Sequence, residues 1–213
     1  MTEFLDFILH IDVWLIHSIH LHPMITYLLI FSFVFIESAF FPLAPFFPGD
    51  GLLFSIGVLA AENTFNLWLA IPVLLVSGIL GSAVAYLLGK KSGPLIFEKT
   101  SLFNQKHIDK ANDFYKKHGG MAFLFSRFMP IIRALIPLIA GIAKMDNRKF
   151  WEYNIVSVSI WVFVITLTGY ELGHLEFIKQ YFGWMILGGS AISLILLISL
   201  AFRQQLGNKT IIK

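Results

Sequence analysis

Four charged side chains stand inside otherwise apolar, proline-interrupted stretches: Glu37, Asp50, Arg127 and Arg133. A charge at the centre of a bilayer costs at least ~2.5–3.5 kcal/mol on insertion scales, so four of them ask for a use. The arginine guanidinium is permanently charged and presents a fork of donors that matches phosphate oxygens. Arg127 and Arg133 flank Pro130, and both can point into one cavity if the helix breaks there. The ends of broken helices add backbone N–H groups for the same anion. A carboxylate in an apolar site can take up and release a proton near neutral pH. Glu37 and Asp50 are therefore candidate proton carriers, able to pair with the arginines when substrate is absent. The plainer alternative is two buried acid–arginine salt bridges that only fix the surrounding chain.

Other chemistries find little support. Gly89-Lys90-Lys91-Ser92 resembles the end of a phosphate-binding loop, but Lys91 stands where Ser or Thr belongs and Val84 where a Gly belongs. No ATP site is expected, so any driving force comes from an ion gradient or from the substrate's own. No Gly-x-Ser-x-Gly or His-Glu-x-x-His occurs, and neither an enzyme nor a bound cofactor is expected. Cysteine is absent, which removes disulfides, thiolate metal sites and a thiol nucleophile. His17, His20 and His22 could be read as metal ligands; histidines at a membrane interface fit the segment better, and no metal is expected.

The composition supplies the setting. Of 213 residues, 57% are apolar and 14% charged, with 22 Phe, against about 25% charged in an ordinary soluble domain. That excludes a disordered chain, a nucleic-acid-binding domain and most soluble enzymes, and leaves an integral membrane protein. Residues 1–89 carry six acids and no Lys or Arg, whereas residues 90–213 carry all sixteen bases. Those bases fall in short gaps between apolar runs, as cytoplasmic loops do. Residues 1–12 hold no Lys or Arg, so a cleavable signal with a basic leader is not expected.

These figures dictate the elements that must position the charges. In residues 1–22, Asp6, His10, His17 and His20 share a helical face, which predicts an amphipathic helix lying at the interface. Residues 24–61 hold an apolar arm bearing Glu37, then Pro42, Pro45 and Pro48, then Gly49-Asp50-Gly51 and a second arm of ten residues. Ten residues make about 15 Å of helix, short of the ~20 residues that a crossing needs. Prolines cannot continue a helix, so a re-entrant hairpin is predicted, although residues 24–41 could alternatively cross completely. Residues 67–88 form a span rich in small residues. Residues 90–120 form a basic cytoplasmic loop, with a short surface helix over 105–118. Residues 121–144 carry Arg127 and Arg133, are broken by Pro130 and Pro137, and have basic clusters at both ends. A second re-entrant hairpin, entered from the opposite side, follows. Spans over 151–170 and 182–202 then leave the C-terminus in the cytoplasm.

The fold class is thus all-α, with transmembrane helices, an N-terminal amphipathic helix and two facing re-entrant hairpins arranged like an inverted repeat. One membrane domain covers 1–213. Gly169-x-x-x-Gly173 is compatible with helix pairing, and so with a homo-oligomer. Its place at a helix end fits packing within the chain better.

Three stretches resemble the DedA family of membrane proteins, also described as SNARE-associated or VTT-domain proteins. They are Glu37 through Pro48-Gly49-Asp50 with Gly57; Gly78 through Gly81-Ser82, Tyr86, Gly89-Lys90 and Gly93; and His118-Gly119 through Arg127, Pro130, Arg133, Pro137, Gly141 and Phe150, trailed by Asn154 and Trp161. The resemblance implies a bacterial cytoplasmic-membrane protein in which the family's acid pair falls on Glu37 and Asp50 and its arginine pair on Arg127 and Arg133. It also implies return of undecaprenyl phosphate, the cell-wall lipid carrier, between leaflets, or phospholipid movement or proton-dependent transport. The leading expectation is a proton-coupled polyprenyl-phosphate translocase whose partners are the lipid phosphate, protons and membrane lipids, with no nucleic acid. The rivals are a phospholipid flippase or scramblase, a proton-coupled small-ion antiporter, a lipid phosphatase and an envelope scaffold.

Overall fold

The computed structural model describes residues 15, 17–19, 21–40, 49–99 and 120–175, and the elements in them are all α-helical. They are α1 (Pro23–Ala39), α2 (Gly49–Ala61), α3 (Leu67–Lys99), α4 (Gly120–Ser126), α5 (Pro130–Ile142) and α6 (Asn147–Leu172). Most of the expected N-terminal helix, Pro42 and Pro48, the surface helix over 105–118 and the span over 182–202 lie outside the described residues. Of the N-terminal stretch, Leu15 and Ile19 are buried in the main apolar core.

Among the described residues two helices are long and apolar enough to cross a bilayer: residues Leu67–Lys91 of α3 and all of α6. At 1.5 Å per residue each exceeds the ~30 Å of hydrocarbon. The helix α3 runs past Gly89-Lys90-Lys91, where composition marked the start of a polar loop, and continues to Lys99. By contrast α2 and α5 have 13 residues each, about 20 Å, and cannot cross alone. The distribution of side chains is the reverse of a soluble protein's. Leu28, Trp68, Phe125, Val156, Phe163 and Leu167 are exposed, whereas Glu37, Ser82, Arg127, Arg133, Asn154 and Thr166 are buried. Hydrocarbon around an apolar exterior accounts for that inversion.

Sequence chemistry sets the ends of the elements. Pro23 and Pro130 open α1 and α5, where a missing N–H costs nothing. Pro137, expected to break the second hairpin, lies inside α5, which continues to Ile142. The break falls before Pro130 instead, in the turn over Arg127–Met129. A proline inside a helix removes one hydrogen bond, and the flanking turns carry the helix across that gap. α1 ends at Ala39 and α2 begins at Gly49, with Phe40 already extended at φ −118° and ψ 92°.

The two short helices α2 and α5 end and reconnect alike. After α2, the Thr64 N–H donates to the Leu59 carbonyl and the Asn63 N–H to the Ala60 carbonyl. After α5, the Met145 N–H donates to the Ala140 carbonyl and the Lys144 N–H to the Gly141 carbonyl. Both are Schellman ends, and their pivot residues Asn63 and Lys144 have φ of 61° and 52°. A side-chain oxygen then caps the next helix: Asn66 accepts from the Trp68 N–H, and Asp146 from the N–H groups of Arg148 and Lys149.

The short helices also dock alike, each chiefly on the long helix of the other half: α2 on α6 and α5 on α3. Glycine permits backbone contact at both crossings. A Cβ on Gly57 would sit on the Thr166 carbonyl oxygen, and one on Gly169 on the Phe54 carbonyl oxygen. At the other crossing, a Cβ on Gly141 would sit on the Tyr86 carbonyl oxygen and one on Gly89 on that of Leu138. Gly169 therefore packs within the chain. One apolar core gathers Ile30, Val34, Leu53, Ile56, Leu74, Val158 and Val162, and a second gathers Ala83, Tyr86, Phe123, Ile136, Ala140 and Phe150. The buried charges come from helices that feed both.

Candidate functional site

Helical periodicity carries Glu37 inward. Thr26, Ile30, Val34 and Glu37 are buried on α1 at spacings of four, four and three, which is one helical face. Asp50 occupies the first turn of α2. Arg133 occupies the first turn of α5, its N–H donating to the Met129 carbonyl 3.0 Å away. Three separate helix ends thus deliver three charges to one point.

There Arg133 joins the two acids. Its Nη2 binds Glu37 Oε1, and its Nη1 binds Asp50 Oδ1 at 2.5 Å. The side chains of Glu37 and Arg133 are 1% and 5% exposed, whereas that of Asp50 is 38% exposed. The cluster is therefore closed at Glu37 and open at Asp50. Burying a charge is costly unless it is paired, and here one cation answers two anions. Glu37 Oε2 accepts no hydrogen bond among the described residues and lies against Gly49, where a Cβ would collide with the carboxylate.

Trp161 of α6 completes the cluster. Its Nε1 donates to Asp50 Oδ1 at 2.7 Å, and its ring lies 5.0 Å from the Arg133 guanidinium carbon, within cation–π range.

Arg127 has different surroundings. It is 1% exposed and sits in the turn between α4 and α5. Its Nη2 donates to Ser82 Oγ at 2.8 Å and to Asn154 Oδ1 at 2.7 Å, and its Nε to Ser157 Oγ at 3.3 Å. Asn154 is itself fixed by donating to the Ile79 carbonyl at 3.1 Å. The structure thus brings Glu37, Asp50 and Arg133 together, while Arg127 donates to side-chain oxygens of α3 and α6. Asn154, Ser157 and Trp161 share one face of α6, so the two arginine sites lie about one helical turn apart along it.

Trp161, Ser82, Ser157, Asn154 and Gly49 are the members that the sequence did not single out by role. A signal was present: polar residues at i, i+3 and i+7 form an inward stripe on an apolar span. A cavity of about 640 Å3 lies at the connector after α2, lined by Tyr27, Asn63, Asn66, Trp68 and Tyr170 among others, and does not include the charges. The charged cluster lies apart from that cavity and reaches the surface only at Asp50.

Residues 47–171 match the family model described as the VTT domain. The chain is 34% identical over 195 residues to Protein DedA of Escherichia coli K12, covering 90% of this chain and 89% of that one. It is 34% identical over 164 residues to an uncharacterized membrane protein of Mycobacterium leprae, covering 76% and 73%. To the inner membrane protein YghB of Escherichia coli K12 it is 33% identical over 159 residues, covering 74% and 72%. No solved structure matches.

Proposed function

This chain belongs to the VTT-domain (DedA) family of membrane proteins, and from that premise we propose that it moves a polyprenyl phosphate across a bacterial cytoplasmic membrane in exchange for protons, with undecaprenyl phosphate as the lipid. The observation that carries this reading is one buried guanidinium shared by two carboxylates among apolar-faced helices. A phosphate monoester crossing lipid unaided pays the desolvation of its charge. A fixed cation inside the protein lowers that cost.

In the resting state the two acids hold Arg133. Protonation from the outer side weakens their grip, through Asp50 first because it is the exposed member. The lipid phosphate then takes the guanidinium while its tail stays in the bilayer. Loss of the proton to the inner side restores the carboxylates and expels the headgroup. Glu37 Oε2, buried and without a hydrogen bond among the described residues, is an atom on which a proton can reside. Arg127, a turn away along α6, offers a second cationic station. In this reading α1–α2 and α4–α5 are the two re-entrant hairpins, inserted from opposite sides, and the chain crosses the membrane several times with its C-terminus in the cytoplasm.

The test is leaflet-to-leaflet movement of undecaprenyl phosphate in liposomes holding the purified protein, with and without an imposed proton gradient. Movement should depend on the gradient, should be lost in Arg133→Ala, and should not extend to phosphatidylethanolamine. Equal rates without a gradient, or in Arg133→Ala, overturn the proposal.

A further inference from the structure

Two donors converge on a single atom at the open side of the cluster. Arg133 Nη1 and Trp161 Nε1 both bind Asp50 Oδ1, at 2.5 Å and 2.7 Å. Indole is a donor only, and it keeps its N–H whatever the protonation of its partner. The ring also lies against the Arg133 guanidinium, so removal of Asp50 leaves the fork still aimed at the vacated point. A carboxylate and a phosphate monoester both offer negatively charged oxygens to such a fork. Of the two acids, Asp50 is the exposed one and Glu37 is enclosed, so the arriving anion replaces Asp50.

We propose that Trp161 binds substrate: its indole N–H and Arg133 Nη1 form a two-donor cradle for one oxygen of a phosphate monoester, and Asp50 Oδ1 is the internal stand-in that fills the cradle at rest. The proposal rests on the anion-carrying reading above and deepens it. Neutralising the stand-in should open the cradle, and the role of Trp161 should survive that change. The Asn Oδ1 still accepts from the indole N–H, but a neutral amide yields to a charged phosphate oxygen, and a tryptophan that only positioned residue 50 would add nothing to phosphate affinity.

The experiment is a double-mutant cycle on the full chain in detergent, titrated with farnesyl phosphate and, separately, with inorganic phosphate. Asp50→Asn should bind farnesyl phosphate more tightly than wild type. Trp161→Phe, which keeps a ring and removes the N–H, should weaken binding about tenfold or more in the Asp50→Asn background, as expected for a hydrogen bond to a charged group. Equal affinities of Asp50→Asn and the double variant overturn the proposal. A preference for farnesyl phosphate assigns the cradle to a lipid headgroup; equal binding of inorganic phosphate, with the same dependence on Trp161, assigns it to the free anion. If neither wild type nor Asp50→Asn binds either probe, the anion-carrying reading itself fails, which is a distinguishable result.

Trp161 is 1% exposed, and a measurement on the wild-type chain separates substrate binding from any loss of folding in Trp161→Phe. Indole 15N–1H spectra contain five tryptophan signals, and the one displaced by Asp50→Asn belongs to Trp161. Saturating farnesyl phosphate should move that signal in the wild type to a new hydrogen-bonded position. A signal that stays at its resting position, or shifts to that of a free indole, overturns the proposal.

Discussion

The two halves of the molecule, α1–α3 and α4–α6, share a scaffold and divide a charge. Each sends a short helix onto the other's long one through a pair of glycines. Each ends that short helix with the same pair of backbone hydrogen bonds, then caps the next helix with a side-chain oxygen. Yet at the centre the first half supplies the acids, Glu37 and Asp50, and the second supplies the cation, Arg133. Repetition therefore sets position and the difference sets chemistry: the acids of the first half pair with Arg133 of the second. The ion pairs between Arg133 and the acids bind the halves together, and an incoming ligand that breaks them acts on the contact between halves.

The sharpest way to break this comparison is to remove charge from one half only. Arg133→Ala leaves Glu37, 1% exposed, as an uncompensated buried anion, a loss of the kind that costs about 3–5 kcal/mol. Adding Glu37→Gln to Arg133→Ala should recover much of that stability, as read by thermal unfolding in detergent, without restoring transport. If the double variant is no more stable than Arg133→Ala, the charges of the two halves do not answer each other.

Next comes the shared scaffold. Gly57→Ala and Gly141→Ala each force a methyl group onto backbone of the opposite half, and neither residue touches a charge. Overpacking of this sort costs about 1–3 kcal/mol. The two variants should lose similar stability, because the crossings are built alike. A variant that unfolds at one crossing and is silent at the other would show that the likeness is superficial.

Much of this was legible in the chain itself, and the limits are physical. The four charges stood out because charge in an apolar run is rare, and three of them meet at one point. The repeat was visible only as a crude pattern of prolines and glycines, since backbone hydrogen bonds and Schellman ends accept many side chains: Asn63 and Lys144 share a conformation and nothing else. Pro137 misled because a proline ends a helix only where the flanking turns cannot carry it, and α5 carries it. Trp161 stood out only as part of the family resemblance, with no role attached. Its place against Asp50 joins residues 111 positions apart, and no local pattern encodes that contact. The different surroundings of Arg127 and Arg133 were hidden for the same reason: both lie on the same apolar segment, and their partners come from elsewhere.

The smallest expected effect distinguishes the two pivots. Asn63 and Lys144 both sit in the left-handed region, in turns that close on the same pair of hydrogen bonds. Asparagine tolerates that conformation, whereas a long side chain such as lysine pays for the close approach of its Cβ to the backbone, up to about 1–2 kcal/mol. Glycine pays nothing there but loses more chain entropy on folding, about 0.4–1 kcal/mol. The balance is near zero at Asn63 and favourable at Lys144. Lys144→Gly should therefore raise stability by about 0.5–1 kcal/mol, and Asn63→Gly should leave it within a few tenths of unchanged. Both residues are exposed and neither contacts the charged cluster, so transport should follow wild type in each. Equal gains at both positions would mean that the strain belongs to the turn; a gain at Lys144 alone assigns it to the side chain.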